Sequence, residues 1–232
     1  MKKAIYSSIA ALLIVSPIAS ANWAVNVGPI HVAPSESSGH LDVIESVAGL
    51  PTNSTALAVN NNTQLGLTVD YKFTPNWALQ VVAATPFSHD IAVAGSAIDG
   101  LAVGNTKHLP PTLLAQYHFT QFGDRWQPFI GVGVNYTTFF DTKVDPQLTG
   151  ALTDLAVITA ANEVELSLSD SWGLALQAGV NVQLTPTLGL HAMLSRIDIA
   201  TTGRVNVDGA TIQQVAVDID PVVAMVGLRW LF

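Results

Sequence analysis

Apolar residues alternate with polar or small residues in eight separate stretches, the pattern of β-strands with one apolar face. In the clearest stretch the apolar positions are Leu65, Leu67, Val69, Tyr71 and Phe73. The positions between them are Gln64, Gly66, Thr68, Asp70 and Lys72. The other seven stretches begin near Trp23, Trp77, Leu109, Ile130, Trp172, Leu188 and Val222. The alternation therefore predicts eight strands.

The connections between these stretches alternate in length. Short turns fall near 74–76, 120–126 and 184–187, and long connections near 34–60, 89–107, 141–168 and 200–214. Short turns at one end and long loops at the other are typical of outer-membrane barrels. The sequence therefore predicts an all-β fold, an eight-stranded antiparallel transmembrane β-barrel of up-and-down topology.

Periodicity alone does not say which face of such a barrel is apolar. A soluble ligand-binding barrel of the lipocalin type would turn the same apolar residues inward. Aromatic residues cluster beside the short turns, as in an interfacial girdle; they are Tyr71, Phe73, Trp77, Tyr117, Phe119, Trp126, Trp230 and Phe232. The chain also ends in Phe232 on an alternating strand, a signature by which outer-membrane barrels engage the barrel-assembly machinery. These features favour an outward apolar face in contact with lipid.

The first 21 residues have the features of a cleaved signal peptide. Lys2 and Lys3 precede a short apolar stretch, and Ala19-Ser20-Ala21 forms a small-residue cleavage site. We therefore expect residues 1–21 to be removed on export and residues 22–232 to form the barrel in the outer membrane.

Composition narrows the possible partners. The chain is 49% hydrophobic and only 11% charged, with a mean hydropathy of +0.40, yet after the leader no apolar stretch is long enough for a transmembrane helix. Two of its 9 Lys and Arg residues lie in the leader, against 17 Asp and Glu; this acidic balance argues against nucleic acid as a partner. The lack of Cys excludes disulfides and thiolate metal sites.

Several phrases of the sequence resemble the OmpW family of outer-membrane proteins. They are Asn61–Thr68, Ala83–Phe87 with His89, His108–Thr112, Gly133–Phe140 and Leu168–Gly173. The resemblance implies an eight-stranded barrel with a narrow, largely hydrophobic lumen. It also implies a conduit for small hydrophobic molecules, as in the AlkL-type alkane-uptake relatives, or a receptor for colicin or phage at the loops. The first and third loops of this chain are long, and in these two regions the chain departs from the family pattern.

The inward positions predict a polar plug below an apolar vestibule. Asp70, Lys72, His118 and Arg229 lie near the short-turn end, where buried charges should pair or stay wet. Further from the turns the inward set is apolar, and it consists of Leu114, Phe139, Met193, Val223 and Met225. Inward glycines, among them Gly133 and Gly179, are expected either to leave room in the lumen or to allow strand bending and close backbone packing. A solute entering from outside would then leave sideways into the bilayer.

A possible lateral gate lies beside the second long connection. Pro86, Phe87, Pro110 and Pro111 fall on adjacent strands near their outer ends, and proline removes a donor from the hydrogen-bond ladder. The prolines would leave the wall locally unzipped. Alternatively, they merely end the strands and start the loop.

Catalysis and cofactors are not expected. His191 and Ser195 share a face of one strand but are too far apart for a nucleophile and its base, about 13 Å. His89 and His108 flank the second connection without a third metal ligand. The alternative function is a structural, stress-related or receptor barrel that transports nothing.

Overall fold

The computed structural model describes residues 22–123 and 125–232; the predicted signal peptide lies outside the described residues. The elements in chain order are β1 (Trp23–Ala33), β2 (Ser37–Ser38), α1 (Asp42–Ala48), β3 (Ala56–Val59), β4 (Asn62–Lys72), β5 (Trp77–Ala84), β6 (Phe87–Ala94), β7 (Ala102–Leu109), β8 (Thr112–His118), β9 (Trp126–Val144), α2 (Pro146–Asp154), β10 (Val164–Leu168), β11 (Ser171–Gln183), β12 (Leu188–Ile197), β13 (Ala200–Val207), β14 (Ala210–Asp218) and β15 (Val222–Leu231). A single 3-10 turn, Thr120–Phe122, lies between β8 and β9.

Eight of these strands close into an antiparallel ring. Around the ring the order is β1, β4, β5, β8, β9, β11, β12 and β15, and β15 pairs again with β1. Each of these eight strands is followed in the ring by the next of the eight along the chain. This confirms the predicted eight-stranded up-and-down barrel. We call the end with the short turns the turn end and the opposite end the loop end.

The apolar face of the ring points outward. Leu65, Val132 and Val226 are 56%, 54% and 60% exposed, whereas the intervening Thr68 and Asn135 are fully buried. The arrangement of a soluble ligand-binding barrel, in which these aliphatic side chains would point inward, is therefore excluded. Among the described residues, no helix is long and apolar enough to cross a membrane.

Aromatic pairs mark both borders of this apolar belt. At the turn end, Trp77 and Tyr117 pack edge to face with ring centroids 5.2 Å apart. Near the loop end, Tyr136 and Trp172 pack with centroids 4.7 Å apart, and Trp172 is 74% exposed. Indole and phenol rings favour the membrane–water interface, so the lipid-facing belt lies between these two levels.

The long connections are ordered, which the alternation did not predict. The β6–β7 hairpin and the last third of β9 continue the barrel wall beyond the ring. A second sheet, β10-β13-β14-β2, completes this extension. The outer surface of the extension carries the ion pair of Lys107 on β7 and Asp141 on β9, with Nζ 2.6 Å from Oδ2. Charges on the outer face place the extension outside the lipid-facing belt.

Of the two roles expected of the inward glycines, close packing is the one found at Gly133 and Gly179. A Cβ on Gly133 would lie 1.9 Å from the carbonyl oxygen of Leu113, and one on Gly179 would lie 2.3 Å from the ring of Phe129. These glycines let a neighbouring strand or an aromatic ring approach closely, the alternative role of such residues in strands. The space inside the ring is occupied by side chains.

Candidate functional site

A buried ion pair closes the turn end of the barrel. Arg229 on β15 donates through Nη1 to Asp70 Oδ2 on β4, and also to Asn26 Oδ1 at 2.9 Å. Asp70 accepts two further hydrogen bonds, from Asn26 Nδ2 at 3.1 Å and from Gln80 Nε2 at 2.7 Å. The three donors come from β15, β1 and β5, and the carboxylate that they share is on β4. They can meet because β1 lies between β4 and β15 in the ring, and β5 lies on the other side of β4.

Amides carry this network across the lumen. Gln177 Nε2 donates to Gln80 Oε1 at 2.9 Å, and Gln116 Nε2 donates to Gln177 Oε1 at 2.7 Å. Of the other residues predicted for the plug, His118 bonds to Gln116 Oε1 through Nε2 at 3.1 Å. Lys72 donates to Gln127 Oε1 at 2.9 Å. Amide groups thus link Asp70 through Gln80 and Gln177 to Gln116 across the lumen. Among the described residues, His118 Nδ1 is buried without a hydrogen-bond partner.

An apolar layer lies directly on this network. Leu114 and Met225 are 1% exposed, and Met193 and Val223 are 4% exposed. They pack in one cluster with Phe129 and Phe87. Phe139, predicted with them, is only partly buried and lies beyond the ring, opposite His108 of β7. Four of the five predicted lumen residues therefore form a packed layer that fills the barrel.

A cavity opens beyond that layer, inside the extension at the loop end. The cavity has a volume of about 60 Å³. Side chains from all four long connections line it, among them Leu41, Ile91, Leu148 and Val215. None of the described residues that line it is charged. Apolar ligand pockets with a few polar groups are the usual form of small-molecule sites.

Two histidines are among the polar residues of this lining. The rings of His89 and His108 are stacked with centroids 5.0 Å apart, and Phe87 stacks on His108 at 5.3 Å. Burial lowers the pKa of His89 and lowers that of His108 to about 3, and both rings lie outside the lipid-facing belt. Both imidazoles are therefore neutral at pH 7.

The backbone ladder is interrupted next to these rings. Pairing of β5 with β8 ends at Val82 and Thr112, and pairing of β6 with β7 resumes at Phe87 and His108. Among the described residues, no ladder pairing joins 83–86 to 109–111. The opposite side remains bonded, since Tyr136 N donates to the Pro111 carbonyl at 3.1 Å.

The predicted gate residues sit at this interruption. Pro86, Pro110 and Pro111 lie between strands, not on them as predicted, because β5 and β7 end before them and β6 and β8 begin after them. Phe87 is 1% exposed and packs inward at the gap. The interruption is level with Tyr136, at the outer border of the lipid-facing belt.

The remaining sequence candidates lie apart from the cavity. Ser195 Oγ donates to the carbonyl of Leu176 at 2.9 Å, and His191 bonds to Asn181 Oδ1 through Nδ1 at 2.7 Å. Within residues 22–123 and 125–232, no three His, Asp or Glu side chains are grouped as a metal site would require.

The eight alternating stretches do not predict this cavity, because its lining comes from the long connections between them. One signal is present in the sequence, since inward residues alternate through the second connection as Phe87, His89, Ile91 and Val93. That alternation is typical of a strand with one buried face, and the strand begins directly after Pro86.

Known proteins similar to this chain are outer-membrane barrels. The family model described as "OmpW family" matches residues 20–232. Outer membrane protein W of Vibrio cholerae is 39% identical over 212 residues, 91% of this chain and 88% of that protein. The crystal structure of the outer membrane protein OprG from Pseudomonas aeruginosa has a TM-score of 0.76 at 34% identity, covering 90% of this chain and 95% of OprG. Outer membrane protein AlkL of Ectopseudomonas oleovorans is more distant, 24% identical over 91% of this chain and 82% of AlkL.

Proposed function

Because the chain belongs to the OmpW family and is a protein of the outer membrane, we propose that it is a conduit for small hydrophobic molecules. Solutes enter the cavity from outside and leave sideways into the bilayer, and no covalent bond is made or broken. The observation that carries the proposal is the uncharged cavity at the loop end, which lies over a barrel whose interior is filled.

The lining supports a hydrophobic solute. Its side chains come from four separate connections, and most of the aliphatic ones belong to one apolar cluster, which includes Leu57, Val103, Leu148 and Val217. Moving a solute from water into such a lining gains roughly 0.8 kcal/mol for each CH₂ group that is buried. A polar solute would gain nothing comparable and would lose its hydration.

The position of the ladder interruption supports a lateral exit. Phe87 packs inside the wall where residues 83–86 and 109–111 are not paired with each other. A change in its side-chain rotamer opens a passage to the outer leaflet without breaking a strand pair. A passage straight through the barrel would instead require the Asp70–Arg229 pair to separate.

Filling the cavity tests the entrance. A Cβ on Gly203 would meet only the side chain of Val215, at 3.6 Å, and its carbonyl oxygen at 3.9 Å, so Gly203→Leu projects into the cavity with little strain. Gly150→Leu is the matched control, because nothing lies within 4 Å of a Cβ there. We expect Gly203→Leu to lower the uptake of N-phenyl-1-naphthylamine by Gram-negative cells at equal surface levels, and Gly150→Leu to leave it unchanged. Equal uptake by both variants contradicts an entrance through this cavity.

Restoring the missing backbone donors tests the exit. Pro86→Ala combined with Pro110→Val allows the two hairpin arms to pair across the interruption, so uptake should fall while the barrel remains folded. Pro75→Ala with Pro186→Val makes the same two changes in turn-end loops and should have no effect. Unchanged uptake in the gate variant would refute the lateral exit.

A structural or receptor barrel without transport remains the second candidate. The packed layer of Leu114, Met193 and Met225 favours it, because a solid interior is what a purely structural barrel needs. Binding of colicin or phage at the loops stays a prediction of the family resemblance. If neither the cavity variant nor the gate variant loses uptake, this second candidate is favoured.

A further inference from the structure

The stacked histidines include a buried polar atom that has no partner among the described residues. His89 Nδ1 lies 2.5 Å from the carbonyl oxygen of Asn60. A carbonyl only accepts, so the hydrogen of the neutral ring is on Nδ1 and Nε2 carries a free lone pair. That Nε2 is buried and has no partner among the described residues, and His89 is 3% exposed.

Such an atom is unusual, because an unpaired buried acceptor costs free energy. The neighbouring polar groups do not relieve it. Thr106 Oγ1 bonds to Thr142 Oγ1 at 2.9 Å, Thr137 Oγ1 donates to Asn135 Oδ1 at 2.7 Å, and Thr201 Oγ1 donates to the carbonyl of Ser169 at 2.6 Å. The hydroxyl groups of these three threonines are therefore engaged elsewhere, and Nε2 of His89 is left without a partner among the described residues.

The surroundings restrict what that occupant is. The described lining has no charged residue, and the neutral histidines offer no cation for a carboxylate. Two histidines without a third ligand are too few for a zinc site. For Nε2 of His89 the complementary group is a neutral donor, and the rest of the occupant must be apolar to fit the aliphatic walls.

We propose that the cavity selects apolar molecules carrying one hydroxyl group, which donates its hydrogen bond to Nε2 of His89. The inference rests on the proposed function, since it names the class of solute that the same cavity takes. Toward the ring, His89 is followed by Phe87 and the ladder interruption; toward the loop end it is followed by Ile91 and Val93. The hydroxyl group therefore lies near the floor, with the alkyl chain along the outer aliphatic wall.

Ligands that differ at one atom test this in the wild-type protein. Decan-1-ol, its methyl ether and decane are titrated into the full chain in lipid nanodiscs, and the histidine side chains are followed by ¹⁵N NMR. The ether keeps the oxygen but lacks the donor. We expect decan-1-ol to bind about 3- to 10-fold more tightly than the ether or decane, the contribution of one net hydrogen bond. The free His89 nitrogen should shift upfield with decan-1-ol only.

A ring-preserving variant supplies the protein side of the test. His89→Phe keeps a ring next to His108 and removes the acceptor, so the preference for decan-1-ol should disappear while decane binding persists. His31→Phe is the control, because His31 is exposed and bonds to Thr63 Oγ1 at 2.8 Å, outside the cavity.

The outcomes separate this inference from the proposed function. Equal affinity of the wild-type protein for all three ligands overturns the selection of hydroxyl groups and leaves the conduit intact. Failure of all three to shift any cavity histidine overturns the conduit as well. A preference for decan-1-ol that survives His89→Phe assigns the donor to another acceptor and refutes the role of His89.

Discussion

Replacing Arg229 by Met should destabilise the barrel far more than removing an exposed positive charge. Arg229 is 2% exposed and Asp70 is 1% exposed, and the guanidinium is the only positive group among the described residues in hydrogen-bond contact with that carboxylate. The thioether of Met fills part of the same volume but carries no charge. The variant therefore leaves an uncompensated carboxylate inside the barrel.

The structure sets the size of the effect. Breaking a buried ion pair by removing one partner costs about 3–5 kcal/mol. Asp70 would keep two donors, Asn26 Nδ2 and Gln80 Nε2, so we expect the lower end, about 3 kcal/mol. Lys107→Met breaks the exposed pair with Asp141, whose side chains are 42% and 40% exposed. Such pairs contribute about 0–1 kcal/mol.

Urea unfolding in lipid vesicles, followed by tryptophan fluorescence, measures both variants under the same conditions. Trp23, Trp77, Trp126 and Trp172 lie on the exposed outer face, so their emission reports loss of contact with lipid. Adding Asp70→Asn to Arg229→Met should recover part of the loss, because it removes the stranded charge. The reasoning is refuted if Arg229→Met costs no more than Lys107→Met, or if the double variant is less stable than the single one.

Two further perturbations give expected outcomes. Gly133→Ala should prevent stable closure of the barrel, because its Cβ would lie 1.9 Å from the Leu113 carbonyl oxygen; Gly150→Ala should fold normally, as heat-modifiable migration on gels would show. Glu45 of α1 accepts hydrogen bonds from Thr55 Oγ1 and from the amides of Asn53, Ser54 and Thr55. The Thr55 hydroxyl lowers the pKa of Glu45, so its contribution to loop order is present above the ordinary pKa of 4.5 and is lost as the pH falls through the lowered value. Proteolysis of residues 41–59 should increase at acid pH in the wild-type protein and at all pH values in Glu45→Gln.

The barrel could be predicted from sequence because lipid imposes a strict rule on every strand. All backbone groups in the belt must pair within the protein, and every second side chain must be apolar. Residues such as Leu65, Leu67 and Val69 report that rule directly. The closure of the ring follows from it, because an open edge is not tolerated in the hydrocarbon.

The extension follows no such rule, which is why its structure was not predicted. Pro86 separates β6 from the ring strand before it, and Pro110 and Pro111 separate β7 from the ring strand after it. Leu148 and Leu152 are buried although they belong to α2, and they pack against strands far away in sequence. Patterns of period two do not reveal a core assembled from four connections.

The pairing of the polar groups could be foreseen only in part. Asp70 and Arg229 lie on strands that flank β1, so their proximity follows from topology. Lys72 comes from the same strand as Asp70 but donates to Gln127 of β9, a contact made across the lumen. Which of two candidate cations meets a carboxylate depends on strand tilt and side-chain reach, and neither is encoded in spacing.

The two halves of the interior have opposite consequences for a solute on the cavity floor. To move toward the periplasm, it must displace the packed layer around Leu114 and Met225 and then open a network whose central charges lose their partners, at a cost of about 3–5 kcal/mol. It would then emerge into water, losing roughly 0.8 kcal/mol for each CH₂ group that becomes hydrated. By the proposed lateral exit, it would pass Phe87 without breaking a strand pair between 83–86 and 109–111, and would emerge among acyl chains, where that loss does not occur. If the chain conducts hydrophobic solutes as proposed, the filled turn end and the interrupted ladder act together, because the first makes the route to the periplasm costly and the second offers the route that ends in lipid.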